Sequence, residues 1–118
     1  MDVFGYRKME IEREVKMNFL RGDTFFKKIY SDEYTFKKGD KFHVAVMKNA
    51  YSEKYLHEQI ITIETETNEF NLEILPCETD KFPIGELLLE IELTTVDGIV
   101  ATNQYKLNVE ADGIHGQN

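Results

Sequence analysis

The sequence predicts an all-β protein: an immunoglobulin-like antiparallel β-sandwich of about seven strands, with one short helical turn near residues 76–82. Three observations lead there. Short runs of alternating apolar and polar residues recur at regular spacing, with turn-forming residues between them. The clearest run pair spans Gly85 to Val109, where Leu87, Leu89, Ile91 and Leu93 alternate with Leu88, Glu90, Glu92 and Thr94 ahead of Asp97-Gly98, a strong hairpin-turn dipeptide. The composition suits a packed core: eight Phe and six Tyr supply bulk, while two Pro and seven Gly argue against a low-complexity chain. The Cys…Trp…Cys core of antibody domains is missing, since the chain has no Trp and one Cys. The sandwich is therefore inferred from strand spacing, and a small barrel is the alternative.

Taken in order, Met1–Lys8 has no period and reads as an N-terminal arm, ordered on contact or frayed. From Met9 to Phe19, Ile11, Val15, Met17 and Phe19 alternate with Glu10, Glu12, Glu14, Lys16 and Asn18, with Arg13 the exception on the apolar side. The period of two predicts a first strand there; a helix is the second choice, because Glu and Lys favour one. Arg21-Gly22-Asp23 is a turn by composition. Its match to the integrin-binding tripeptide is the kind that three residues make by chance. Thr24–Tyr30 starts a second strand, with Phe25 or Phe26 buried. Tyr34–Phe36 is short and β-prone, and Lys37–Asp40 is a turn. Lys41–Lys48 is apolar on both faces (Phe42, Val44 and Val46; His43, Ala45 and Met47), which places it centrally in a sheet. Asn49–Ser52 is a loop. Lys54–Gln59 would suit one helical turn, but the β-prone Ile60–Thr67 run predicts a strand centred on Ile60–Thr65. Glu69–Leu75 alternates, with Phe70, Leu72 and Ile74 inward. Pro76–Lys81 is the helical turn, with Pro near its start, and residues 111–118 form a flexible C-terminal tail.

A chain of 118 residues is one domain, with the sandwich over 9–110, and can bury a core without staples. The net charge is −8 and unevenly spread: residues 1–60 carry 12 Lys and Arg against 10 Asp and Glu, and residues 61–118 carry 2 against 12. Such a chain is a poor phosphate binder, so nucleic acid is not an expected partner. The asymmetry reads as solvated strand faces or as charge-complementary packing between copies or neighbours. The single Cys77 permits no intrachain disulfide, which fits assembly in a reducing compartment. Met1–Lys8 lacks the apolar stretch of a secretory leader, no run approaches a membrane span, and no membrane partner is expected.

No catalytic, cofactor or metal signature stands out. His43, His57 and His115 sit in different expected elements. The pairs Glu64/Glu66 and Glu90/Glu92 each share a strand face, but no Asp-x-Asp-x-Asp loop accompanies them, so they read as solvated faces rather than a Ca²⁺ site or an acid/base pair. Cys77 reads as a small packed residue rather than a nucleophile. Lys27, Lys28, Lys37, Lys38 and Lys41 are the only basic concentration. An enzyme would need a deep pocket in which His43, His57 and carboxylates converge.

Four stretches, in order, resemble a known family: Arg21–Phe25; Phe36–Asp40 with Phe42–Lys48; Ile74–Glu86 leading to Glu90–Leu93; and Val96–Gly98 with Thr102 and Leu107–Glu110. Together they are similar to small structural proteins and domains of phages and prophages of Gram-positive bacteria, above all the N-terminal domain of baseplate upper proteins. The resemblance covers about residues 17–114. It implies an immunoglobulin-like sandwich with a non-catalytic role in a virion, assembled in the bacterial cytoplasm, as a baseplate or tail adaptor or a decoration module. The partners it implies are copies of the chain or other phage structural proteins. Two features depart from the family: no long C-terminal extension follows, and the first ten residues have no counterpart. Within the pattern, Thr79 is expected to bond backbone groups of the helical turn, and Gly85 to admit the next strand without a side-chain clash. The acidic face of the hairpin, with Glu86, Leu88, Glu90 and Glu92, is the expected partner-binding surface. The alternative function is a stand-alone β-sandwich binding module for a carbohydrate or cell-surface protein, which a concave aromatic patch from residues such as Tyr51, Tyr55 and Tyr105 would support.

Overall fold

The structure is a computed structural model that describes residues 10–11 and 17–111. The expected N-terminal arm, the middle of the first expected strand, and the tail from residue 112 with His115 lie outside the described residues. Among the described residues eight strands and one helical turn follow in order: β1 (Glu10–Ile11), β2 (Met17–Leu20), β3 (Phe25–Tyr30), β4 (Lys41–Met47), β5 (His57–Thr62), β6 (Glu69–Ile74), α1 (Pro76–Thr79), β7 (Gly85–Thr94) and β8 (Val100–Glu110). They form a three-stranded sheet, β1-β3-β6, and a five-stranded sheet, β2-β8-β7-β4-β5. The chain is an immunoglobulin-like β-sandwich.

Alternation does the sorting. Leu87, Leu89, Ile91 and Leu93 of β7 face the opposite sheet and are buried, as are Phe42, Val44 and Val46 of β4, and Leu72 and Ile74 of β6. Phe25 is buried, and Phe26, one residue on, is 55% exposed. That difference is the period of two at work. Aromatic clusters close the two ends of the core. Phe36, Phe42 and Phe70 meet near the β7–β8 turn, with ring centroids 4.3–6.0 Å apart. Phe19 packs edge-on against Phe25 and Phe82 near α1.

Three expectations are corrected. The first strand is two pieces in different sheets: β1 pairs with β3, whereas β2 pairs with β8. An apolar residue at every second position serves either sheet, so alternation alone does not reveal the switch. The β2–β8 pair is parallel, so the sandwich is not wholly antiparallel. The strand expected at Ile60–Thr65 runs instead from His57 to Thr62, in register with β4. Beyond it Ile63 bonds to the Gly39–Asp40 turn, because β4 begins only at Lys41. Glu64 and Glu66 therefore lie in a connection rather than on a strand face.

A side-chain linkage and a backbone requirement replace two further expectations. Thr79 is fully buried, and its Oγ1 donates to the Asp23 carbonyl at 2.7 Å, so it ties α1 to the Arg21-Gly22-Asp23 turn rather than bonding within its own turn. Gly85 is required by its backbone, φ +121°; a Cβ there would meet nothing within 4 Å, so the expected clash is not the reason.

Candidate functional site: the outer face of the five-stranded sheet

β7 lies between β8 and β4, so its outward side chains sit on a supported surface. Glu86, Leu88, Glu90 and Glu92 all project from that outer face, in one row along the strand. Across from them on β8 stand Asn108, Lys106, Gln104 and Thr102; on β4, Met47, Ala45 and His43 lie opposite Leu88, Glu90 and Glu92. The expected partner-binding residues are thus contiguous, but they differ in freedom. Gln104 Nε2 donates to Glu90 Oε2 at 2.8 Å, and Thr102 Oγ1 reaches Glu92 Oε2 at 3.5 Å. Glu86 has no hydrogen bond or ion pair among the described residues. Leu88 is half-buried beside Met47, which is nearly covered.

Leu88 also marks a depression of about 200 Å³, lined by Lys48, Asn49, Ala50, Glu86, Gln104 and Lys106 among others. Neither Lys48 nor Lys106 has an ion pair among the described residues, so two cations and one carboxylate face the hollow unneutralised. The rim is held by a side-chain-braced turn. Asn49 N–H donates to Ser52 Oγ, and Tyr51 N–H to Asn49 Oδ1. Tyr51 at the tip is 93% exposed.

Toward the β5 edge the face changes character. His43 bonds to Glu58 at 2.5 Å and packs edge-on against Tyr55, with centroids 5.6 Å apart. Ile60, opposite His43 in register, is 66% exposed. Sequence reasoning did not single out Ile60, although Ile60-Ile61 is itself a signal: in a strand, two adjacent isoleucines cannot both face the core.

Other candidates disperse. His43 faces outward, whereas His57 on the neighbouring strand faces inward, so the two imidazoles do not converge. His57 is nearly buried between Glu78 Oε1, 3.0 Å from Nδ1, and Gln59 Oε1, 2.6 Å from Nε2. The His57 hydrogen bond, followed by the Lys81 ammonium, holds the Glu78 carboxyl below its ordinary value of 4.5. This group braces β5 against α1. Among the described residues no three His, Cys, Asp or Glu side chains are grouped to hold a metal ion. Cys77 is exposed on α1, not packed as expected. The lysines do not form one patch. Lys27 and Lys28 lie on β3 and are engaged within the chain, Lys37 and Lys38 sit in a turn, and Lys41 is on the other sheet. Tyr105 faces the core opposite Leu89 while Tyr51 and Tyr55 sit on the β4–β5 loop, so the three tyrosines share no concave patch. Arg21, in the Arg-Gly-Asp turn, is half-buried and engaged within the chain. No helix among the described residues is long and apolar enough to cross a membrane.

No family model matches the chain, and no curated protein matches it in sequence. Solved structures do. CopC from Methylosinus trichosporium OB3b is 11% identical, with a TM-score of 0.56 over 88% of this chain and 92% of that one. A superoxide reductase (neelaredoxin) from Ignicoccus hospitalis is 6% identical, with a TM-score of 0.61 over 86% of this chain and 80% of that one. At such identities the likeness is one of fold alone: two proteins of different printed function share this chain's sandwich.

Proposed function

We propose that the chain is a non-catalytic structural module of a phage or prophage virion, a baseplate or tail adaptor or a decoration protein, acting through protein–protein contacts. The observation that carries this reading is the ordered set of four stretches that resemble the N-terminal domain of baseplate upper proteins. The geometry is compatible with it. The outer face of β7 is broad and supported on both sides, with a shallow hollow beside Leu88, as suits docking of another protein surface. In this reading Leu88 is the apolar anchor and Glu86, Glu90 and Glu92 select a partner of opposite charge.

The test is direct. Particles purified after induction of a lysogen carrying the gene should contain the chain in fixed proportion to the tail proteins, measured by mass spectrometry. A chain abundant in the lysate and missing from the particles overturns the proposal. In particles reassembled with a Glu86→Lys, Leu88→Lys double variant, incorporation should fall at least tenfold while the melting temperature of the free variant stays within a few degrees.

A further inference from the structure

β5 is an edge strand with no neighbour on its open side among the described residues. Exposed edges are usually guarded by Pro, Lys or a bulge. β5 reads His-Glu-Gln-Ile-Ile-Thr, with no Pro or Lys, and its register with β4 runs unbroken from His57 to Thr62. The Ile63 N–H bond to the Asp40 carbonyl sets the phase of the ladder. Odd residues of β5 bond to β4, and Glu58, Ile60 and Thr62 turn their N–H and C=O groups to the open side.

We infer that β5 pairs antiparallel with β5 of a second copy, about a two-fold axis at Ile60, joining two five-stranded sheets into one of ten strands. A two-fold perpendicular to the sheet keeps both outer faces on one side, so only residues of the same parity can stand opposite one another. The register about Gln59 would set Glu58 against Ile60. The register about Ile60 sets the 66%-exposed Ile60 against its own copy, Gln59 against Ile61, and Glu58 against Thr62. It forms about six main-chain hydrogen bonds. Charge favours this register as well. Lys41 lies beside Thr62 on β4, so Glu58 of the second copy comes within two strand spacings of the Lys41 ammonium, roughly 10 Å between backbones. The open edge of β6 does not serve a copy so well: in the register about Asn71, Glu69 would face Glu73 twice.

The interface is small, of the weak class below roughly 1,200 Å², so half-dimerisation is expected between about 10 μM and 1 mM. It would place two copies of the β7 row on one surface, about 24 Å apart at five strand spacings. The inference does not depend on the identity of any virion partner, and its failure leaves the β7 face untouched.

Sedimentation equilibrium of the full chain should show mass rising with concentration toward twice 13.8 kDa. Ile60→Lys should abolish the rise while leaving circular dichroism and the melting temperature unchanged, since the side chain is exposed. In a Cys77→Ser background, Ile60→Cys should form a disulfide-linked dimer under oxidised glutathione, because paired Cα atoms lie about 5.5 Å apart. Thr62→Cys should not, because its copy lies four residues along the strand. A chain that stays monomeric to about 1 mM, an Ile60→Lys variant that dimerises like the parent, or equal cross-linking at both positions overturns the inference.

Discussion

Asp40 carries more of the architecture than any sequence motif suggested. Its carboxylate is fully buried and accepts three hydrogen bonds: from the Tyr34 hydroxyl, the Lys37 N–H and the Val96 N–H, each 2.9 Å. It joins the turn before β4 to the β7–β8 turn. Asp40→Ala leaves those donors without their acceptor at a buried position and should cost about 2–4 kcal/mol in urea denaturation. The preceding Gly39 has φ +97°, and a Cβ there would stand 2.8 Å from Val96 Cγ1, so Gly39→Ala strains the same junction. At the other end, folding lowers the Glu78 pKa, so the carboxylate stabilises the fold above its ordinary value of 4.5 and loses that contribution as pH falls through the lowered folded value. The stability gap between the parent and Glu78→Gln should be widest near neutral pH and close below pH 4.5. Thermal melts across that range measure it. A cysteine reagent should titrate the exposed Cys77 in the folded protein as fast as in denaturant.

At the level of elements, β7 divides labour between its faces. Leu89 is fully buried, so Leu89→Ala should cost about 2–5 kcal/mol. Leu88→Ala, on the half-buried outer face, should cost less than half of that, and paired denaturation curves decide it. The alternation that made β7, β8, β4 and β6 legible is the physical cause of their burial, so reading it in sequence reads the fold. The sequence pattern sets β5 too far along the chain because Ile60-Ile61-Thr62-Ile63 is β-prone throughout. The strand's limits come from β4, which offers ladder partners to β5 only from Lys41 to Val46. The split between β1 and β2 was illegible for a related reason: the pattern of the run satisfies either sheet.

For the whole molecule, the acidic second half of the chain is distributed by the fold rather than pooled. Glu86, Glu90 and Glu92 stand on the outer sheet face, Glu69 and Glu73 on β6, and Glu78 on α1. The expected acidic face exists as a row, yet Lys48 and Lys106 come to it from other elements and make it mixed in sign.

What the sequence by itself determined is the fold class, the inward faces, the helical turn at α1 and the outward row Glu86, Leu88, Glu90 and Glu92, because each follows from a local period or a turn residue. Only the tertiary structure decided which strands are edges, that β2 runs parallel to β8, that Asp40 and His57 are bridges, and which of Ile60 and Ile61 is the exposed one. Those depend on contacts between residues far apart in the chain, for which a local pattern carries no information.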